Sequence, residues 1–404
     1  MNRIKIINKI FLIFITIGSS SCIDNSSEFT LSNLNKDVDS PTEFAPNILQ
    51  NDESLLKAQL IENPNVEFIL QKSPTIFSSN NSMQHSYSAV IGHDIIEGTY
   101  KILSHSEESA FSLADDGKGR LTVFENENPV LSYNFGMQLS DSVPGRYRRS
   151  TYIHPIYELK GNVLTDDFPS DHYHHRGLSW MWPKIFIDSV RYDLWHIYGS
   201  QGKLAGIHQI FEDWIVQDVG PICATIGAKN FWQLDDGQKV MDESVFVKVY
   251  RATDNARAVD IKLIWKAITP IGIEGQTKKG YGGFNFRFAP RKETQIFSNL
   301  GKEKDSDLKN LPWADQSAKF GDNDYFSGVG IFQNENNNNY PAGWCLRHYG
   351  FLGVAWPGVE RYNMKPGETL SLSFRVWIHE GDVKEGKVES AYEVFKNPPL
   401  MEKL

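Results

Sequence analysis

The chain has 404 residues, and 41 lysines and arginines stand against 50 aspartates and glutamates for a formal net charge of −9. That acidic balance excludes a nucleic-acid partner held by its phosphates. Three cysteines are too few for a disulfide-built scaffold, and nothing beyond the N-terminus is apolar enough to span a bilayer as a helix.

Residues 1–21 read as a lipoprotein signal peptide. Arg3, Lys5 and Lys9 give it a positive start. The apolar run 10–17 is too short to cross a hydrocarbon core of about 30 Å. Gly18, Ser19, Ser20 and Ser21 are small and end at Cys22, the expected lipidation site, although an aliphatic residue is usual where Ser19 stands. The alternative is an ordinary cleaved signal with Cys22 incidental. Several acyl chains on Cys22 would anchor the protein without a transmembrane helix. The expected location is the cell outer membrane, lipid-anchored and facing either the periplasm or the exterior.

Residues 22–95 are expected to form a tether and a poorly defined N-terminal segment. The stretch 23–45 is rich in Ser, Asn and Asp and lacks a steady period, which suits a flexible tether. Residues 54–61 fit a short helix, and 78–82 fit a loop.

Residues 96–404 are expected to fold as a single all-β catalytic domain, a large antiparallel β-sandwich. Runs rich in Val, Ile, Tyr, Phe and Trp at 120–125, 130–135, 245–251, 258–267, 281–288 and 370–379 alternate with Gly, Asp, Asn and Pro turns. The last run is the clearest. Leu370, Leu372, Phe374, Val376 and Ile378 alternate with more polar neighbours, and Lys365-Pro366-Gly367-Glu368 supplies a turn before them. A short C-terminal helix is predicted over 388–395. Cys223 and Cys345 sit in apolar stretches and read as buried thiols, with one disulfide between them as the alternative.

Six of eleven histidines lie between positions 154 and 208: His154, His172, His174, His175, His196 and His208. If the segment from Asp171 to Gly177 is extended, His172, His174 and Arg176 share one face, and Tyr173 and His175 the other. So many titratable groups in a β domain are costly unless they line a cavity. In the glycine-rich segment 280–288, Phe284, Phe286 and Phe288 would face the core, leaving Tyr281, Asn285 and Arg287 on the opposite face. No helix follows these glycines, so they are not a phosphate loop. Arg146, Arg148 and Arg149 form a local basic patch, which reads either as a solvated loop or as a site that attracts an anion.

Together, the motifs His154-Pro155, Asp166-Asp167-Phe168-Pro169, His172-x-His174-His175-Arg176-Gly177 and Trp180 resemble those of the PmoA-like family of exported bacterial proteins. Lys279-Gly280-Tyr281-Gly282-Gly283, Arg287-Phe288-Ala289-Pro290, Arg347-His348-Tyr349-Gly350 and Trp356-Pro357-Gly358 add to the likeness, which covers about residues 130–380. Tyr173 departs from it, because a proline is expected there. The family carries the label methane oxygenase, yet the membrane oxygenase subunit of that name is a multi-span helical protein and this chain has no later span. What the resemblance implies is a sandwich like that of the galactose mutarotases, in a protein of a polysaccharide-utilisation system. Fold alone does not fix the reaction.

The leading expectation is a carbohydrate lyase or dehydratase acting on uronic-acid oligosaccharides, a carbon–oxygen lyase. Such an enzyme needs a cation for the carboxylate, a base for the acidified C5 proton and an acid for the oxygen leaving C4. Arg176 or Arg287 would supply the first, His174 or His175 the second, and Tyr281 or His154 the third. His172, Asn285 and Trp180 would complete the substrate contacts. No particular cofactor is assigned, and a divalent metal stays open. The alternatives are a divalent-metal oxygenase or hydrolase with His172, His174 and Asp171 or Glu243 as ligands, a mutarotase or epimerase, and a non-catalytic glycan binder stacking sugars on Trp180, Trp182 and Trp195.

Overall fold

The alternation at 370–379 becomes the strand Thr369–Glu380 in the computed structural model, which describes residues 28–44, 49, 52–77, 84–196 and 206–404. Leu370, Leu372, Phe374, Val376 and Ile378 point into the main hydrophobic core. Trp377 points the opposite way, into a smaller core beneath the helix Val388–Lys396. This strand is therefore buried on both faces.

It lies in the middle of a nine-stranded antiparallel sheet that begins with Ile207–Val219, Cys223–Leu234, Lys239–Tyr250 and Ala256–Ala267. We call this the long-stranded sheet. A second nine-stranded sheet faces it across the main core. Its central strands run Gly343–Arg347, Phe351–Val354, Gly283–Arg287, Leu178–Met181 and Tyr152–Ile156. We call it the site sheet. The two form a large antiparallel sandwich with a short C-terminal helix, and a four-stranded sheet flanks it.

The N-terminal segment departs from expectation. Glu28–Ser32 and Ser40–Glu43 are strands where a tether was expected, and Leu55–Leu60 is a strand where a short helix was expected. Phe29 and Leu31, then Leu56, Ala58 and Leu60, alternate inward with a period of two and share one core with Tyr100 and Met401. The resulting seven-stranded sheet ends on Leu400–Lys403, so it takes in both ends of the described chain. Gly98–Ser104 also belongs to it, so the boundary expected near residue 96 falls just before one of its strands. Cys22 and the loop expected at 78–82 lie outside the described residues.

Candidate functional site

In the strand Gly283–Arg287, Phe284 and Phe286 enter the core, as does Phe288 just beyond it. Asn285 and Arg287 point to the other face of the site sheet. Paired residues of adjacent antiparallel strands share a face. Arg287 pairs with Phe351, and Asn285 with Gly353; Phe351 in turn pairs with Arg347, and Gly353 with Cys345. Loops close over that face and leave a cleft of about 320 Å³. Its lining includes His172, His174, His175, His196, Tyr281 and Lys279. Trp195, Cys345, Arg347, Tyr349 and Phe351 complete it.

The histidine segment is not extended. The N–H of His172 donates to the Pro169 carbonyl at 2.9 Å, and that of His175 to the His172 carbonyl at 2.9 Å. These turns gather His172, His174 and His175 together, with the His172 and His175 rings stacked at 4.7 Å. His174 packs against His196 at 4.6 Å. Burial holds the His174 imidazole down at about 2 and that of His175 well below its ordinary value, with neighbouring histidines and arginines adding to the effect. Both are neutral at ordinary pH.

His196 is held differently. Its Nδ1 lies 2.8 Å from Asp193 Oδ2, while its backbone N–H donates to Asp193 Oδ1 at 2.7 Å. Asp193 is itself buried. The short segment from Asp193 to His196 is fixed from two sides. The N–H groups of Leu194 and Trp195 both donate to the Trp182 carbonyl at 3.0 Å. Buried Arg149 donates to the Leu194 carbonyl and, at 3.0 Å, to the Trp195 carbonyl. Burial lowers this guanidinium to about 9. The expected basic patch is thus broken up: Arg149 is an internal staple, Arg148 is exposed, and Arg146 lies over the Tyr147 ring.

Tyr281 packs on Trp195 at 5.4 Å across the cleft. Burial raises its phenol above the ordinary range, with Cys345 adding to the effect. Burial also pushes Tyr349 up to about 12. The Tyr349 ring stacks on His172 at 5.6 Å and lies 5.1 Å from the Arg287 guanidinium. Arg287 Nη2 donates to both Asp171 oxygens, at 2.8 and 3.0 Å. His172 Nδ1 is 2.9 Å from Asp171 Oδ2. Burial works to raise the Asp171 carboxyl, but its His172 and Arg287 contacts overcome this and hold it below the usual range.

Six residues singled out in the sequence are elsewhere. Arg176 turns inward, donates to the Tyr173 and His175 carbonyls at 2.7 and 2.6 Å and to the Tyr147 carbonyl, and lies over the Phe168 ring. It braces the histidine loop from behind. His154 is outside the cleft, with Nδ1 2.9 Å from Thr165 Oγ1, and burial lowers it to about 3. Asn285 is buried and donates to the Gly283 carbonyl at 2.5 Å. Trp180 is in the core, donating to Glu243 Oε2 at 3.2 Å, so it offers no stacking surface; Trp182 is equally buried. His208 pairs with Asp235 away from the cleft.

Glu243, an alternative metal ligand, is buried on the long-stranded sheet, in Lys239–Tyr250, and accepts from Trp232, Trp265, Gln209 and Asn230 as well as Trp180. Among the described residues, no group of three His, Cys, Asp or Glu side chains is arranged to hold a metal ion. Cys223 and Cys345 are both free and buried, one in the small core and the other in the cleft wall.

The sequence model of a family described as a family of unknown function, DUF6807, matches residues 120–393. The chain belongs to the DUF6807 family. This corrects the resemblance to the PmoA-like family. The structure agrees with the correction: it is all-β but for its short helix, and among the described residues no helix is long and apolar enough to cross a membrane. The DUF6807 match takes in every residue that lines the cleft. No curated protein matches the chain. The motifs behind the resemblance nevertheless carry much of the cleft: the His172–His175 loop, Lys279, Tyr281, Arg347 and Tyr349. Asp193 and His196 were missed as a unit. Their signal, an Asp-x-x-His spacing, is short and has meaning only once Arg149 and Trp182 fix the loop.

Proposed function

We propose that this DUF6807 protein is a carbohydrate lyase or dehydratase that acts on uronic-acid-containing oligosaccharides. One observation carries the reading: on a chain of net charge −9, the described lining of the cleft holds four histidines, two cations and two tyrosines, and no carboxylate. Such a lining favours an anionic sugar and provides groups for acid–base work.

His196 suits the base. Asp193 engages its Nδ1 and leaves Nε2 to accept a proton, a pairing that fixes both ring orientation and tautomer. A cation withdraws charge from the sugar carboxylate and acidifies C5–H. His196 removes that proton, the electron pair forms the C4=C5 double bond, and the C4–O bond breaks. Tyr281, whose raised phenol keeps its proton, gives it to the departing oxygen. The leaving group is an alcohol in a lyase and water in a dehydratase. The neutral imidazoles of His174 and His175 would hold sugar hydroxyls.

The mutarotase alternative asks for a glutamate beside a histidine, and no glutamate is in the described lining. We keep the likeness to galactose mutarotases at the level of the sandwich, for its two large sheets around one core. The same reading retains lipidation at Cys22 and attachment to the outer membrane, where oligosaccharides arrive.

The test is a panel of uronate oligosaccharides followed by the absorbance of an unsaturated product. The native protein should produce it. His196→Ala and Tyr281→Phe should each lower the rate about 10²-fold or more. A flat absorbance trace across the panel would sink the proposal.

A further inference from the structure

Arg287 is a buried cation with spare capacity. Its side chain is 7% exposed, and its Nε and Nη1 take no hydrogen-bond partner among the described residues. Asp166 approaches Nε no closer than 4.0 Å. Nearby Arg291 is half-buried and spends its Nη donors on the carbonyls of Phe288, Ala289 and His348. The anion that meets Arg287 is Asp171, whose side chain is 48% exposed. A guanidinium cannot shed its charge, so a buried one needs an anion beside it. A half-exposed carboxylate can return to water at small cost. The pair is therefore asymmetric: Arg287 must keep an anion, and Asp171 can leave.

The place that Asp171 occupies borders the cleft. Its carboxylate sits between Arg287 Nη2 and His172 Nδ1, and His172 lines the cleft beside Tyr349. We propose that Asp171 is a displaceable internal stand-in for a ligand carboxylate, and that an incoming carboxylate takes over its contacts with Arg287 and His172. Arg287 then selects for acidic sugars, and Asp171 sets the affinity by competing for it. Lys279, exposed at the mouth, attracts the anion without fixing it. The inference rests on the acidic-sugar reading of the cleft, but not on the reaction.

Calorimetric titration of the whole protein with D-glucuronate and with D-glucose tests it as binding alone. Asp171→Asn should bind glucuronate about three- to fivefold more tightly than the native protein, with glucose affinity unchanged. Arg287→Gln should lose the preference for glucuronate. Asp171 is half exposed, so its variant keeps the question answerable if Arg287→Gln does not fold. An Asp171→Asn protein that binds glucuronate no better than the native one overturns the inference, as does an Arg287→Gln protein of native preference. Absence of glucuronate binding in both native and Asp171→Asn proteins overturns it too. If tighter binding appears without any unsaturated product, the lyase reading falls and the carboxylate site stands. If product forms while Asp171→Asn leaves glucuronate affinity unchanged, the reverse holds.

Discussion

Glu243 draws N–H groups from Trp180, Trp232, Trp265, Gln209 and Asn230 around one buried carboxylate. Burial pushes the carboxyl up while the N–H bonds pull it back, with the net effect a rise. Glu243→Ala would leave three indoles and two amides without their acceptor. The expected loss is about 4 kcal/mol or more, read as a lower urea midpoint. Glu243→Gln should cost much less. Asn230 Oδ1 has no partner among the described residues, so the Asn230 amide can turn to accept from the new NH2 and from the Tyr133 hydroxyl, which now accepts from Nδ2. Equal midpoints for Glu243→Ala and the native protein would show that the cage adds nothing to stability. None of this was legible in the sequence, where Glu243 stood as a potential metal ligand. Its partners come from separate strands, and no local spacing marks their convergence. The same limit applies to Arg176 and Arg149: a sequence shows the charge but not the carbonyls that will engage it.

Strands were far more legible than the loops between them. Arg120–Glu125 has the expected bounds, and Ala256–Ala267 and Thr369–Glu380 differ from expectation by a residue or two, because alternation is a local property of a strand. Whether the histidine segment is extended was not legible, because its turns depend on Pro169 and on Arg176 reaching behind it. The glycine segment shows how one position can matter to both kinds of element. Gly283 has φ 101°, and a Cβ there would lie 2.4 Å from the Val354 carbonyl oxygen. Gly283→Ala should cost about 2–4 kcal/mol in chemical denaturation and disturb the adjacent Tyr281. Gly237 has a similar φ of 92° but nothing within 4 Å, so Gly237→Ala should cost only about 1 kcal/mol. Similar losses at the two sites would mean that the close approach at Gly283 is relaxed easily.

For the whole molecule, the buried neutral histidines dictate a response to acid. His154 is lowered to about 3, His174 to about 2, and His175 well below its ordinary value. The unfolded chain protonates these rings near 6.5, and the folded protein only far below that. Stability is therefore full above that value and falls with pH beneath it, at about 1.4 kcal/mol per pH unit for each ring. Asp167 acts in the opposite sense. Burial raises it to about 6, so between there and its unfolded value near 4 the folded state holds the extra proton. Together the three rings and Asp167 should contribute about two protons to the slope between pH 6 and 4, and His154→Asn should remove about one of them. Urea midpoints measured across that range decide it; a flat profile would contradict the burial of these rings. The two-sheet plan itself was readable from composition and turn spacing, whereas the N-terminal sheet was not. Its polar loops outweigh its short strands in any local window, and its partners include the far end of the chain.

That last pairing has a bearing on how the protein is made. Thr30 and Glu402 are cross-strand neighbours although 372 positions separate them. During synthesis, the strand Glu28–Ser32 emerges among the first and must wait for nearly everything else before its outer edge is covered. Until then it presents unpaired N–H and C=O groups to any other extended chain. The strand Leu400–Lys403, translated long after Glu28–Ser32, thus acts as a clasp, and the open interval before it arrives is when this fold most needs a chaperone.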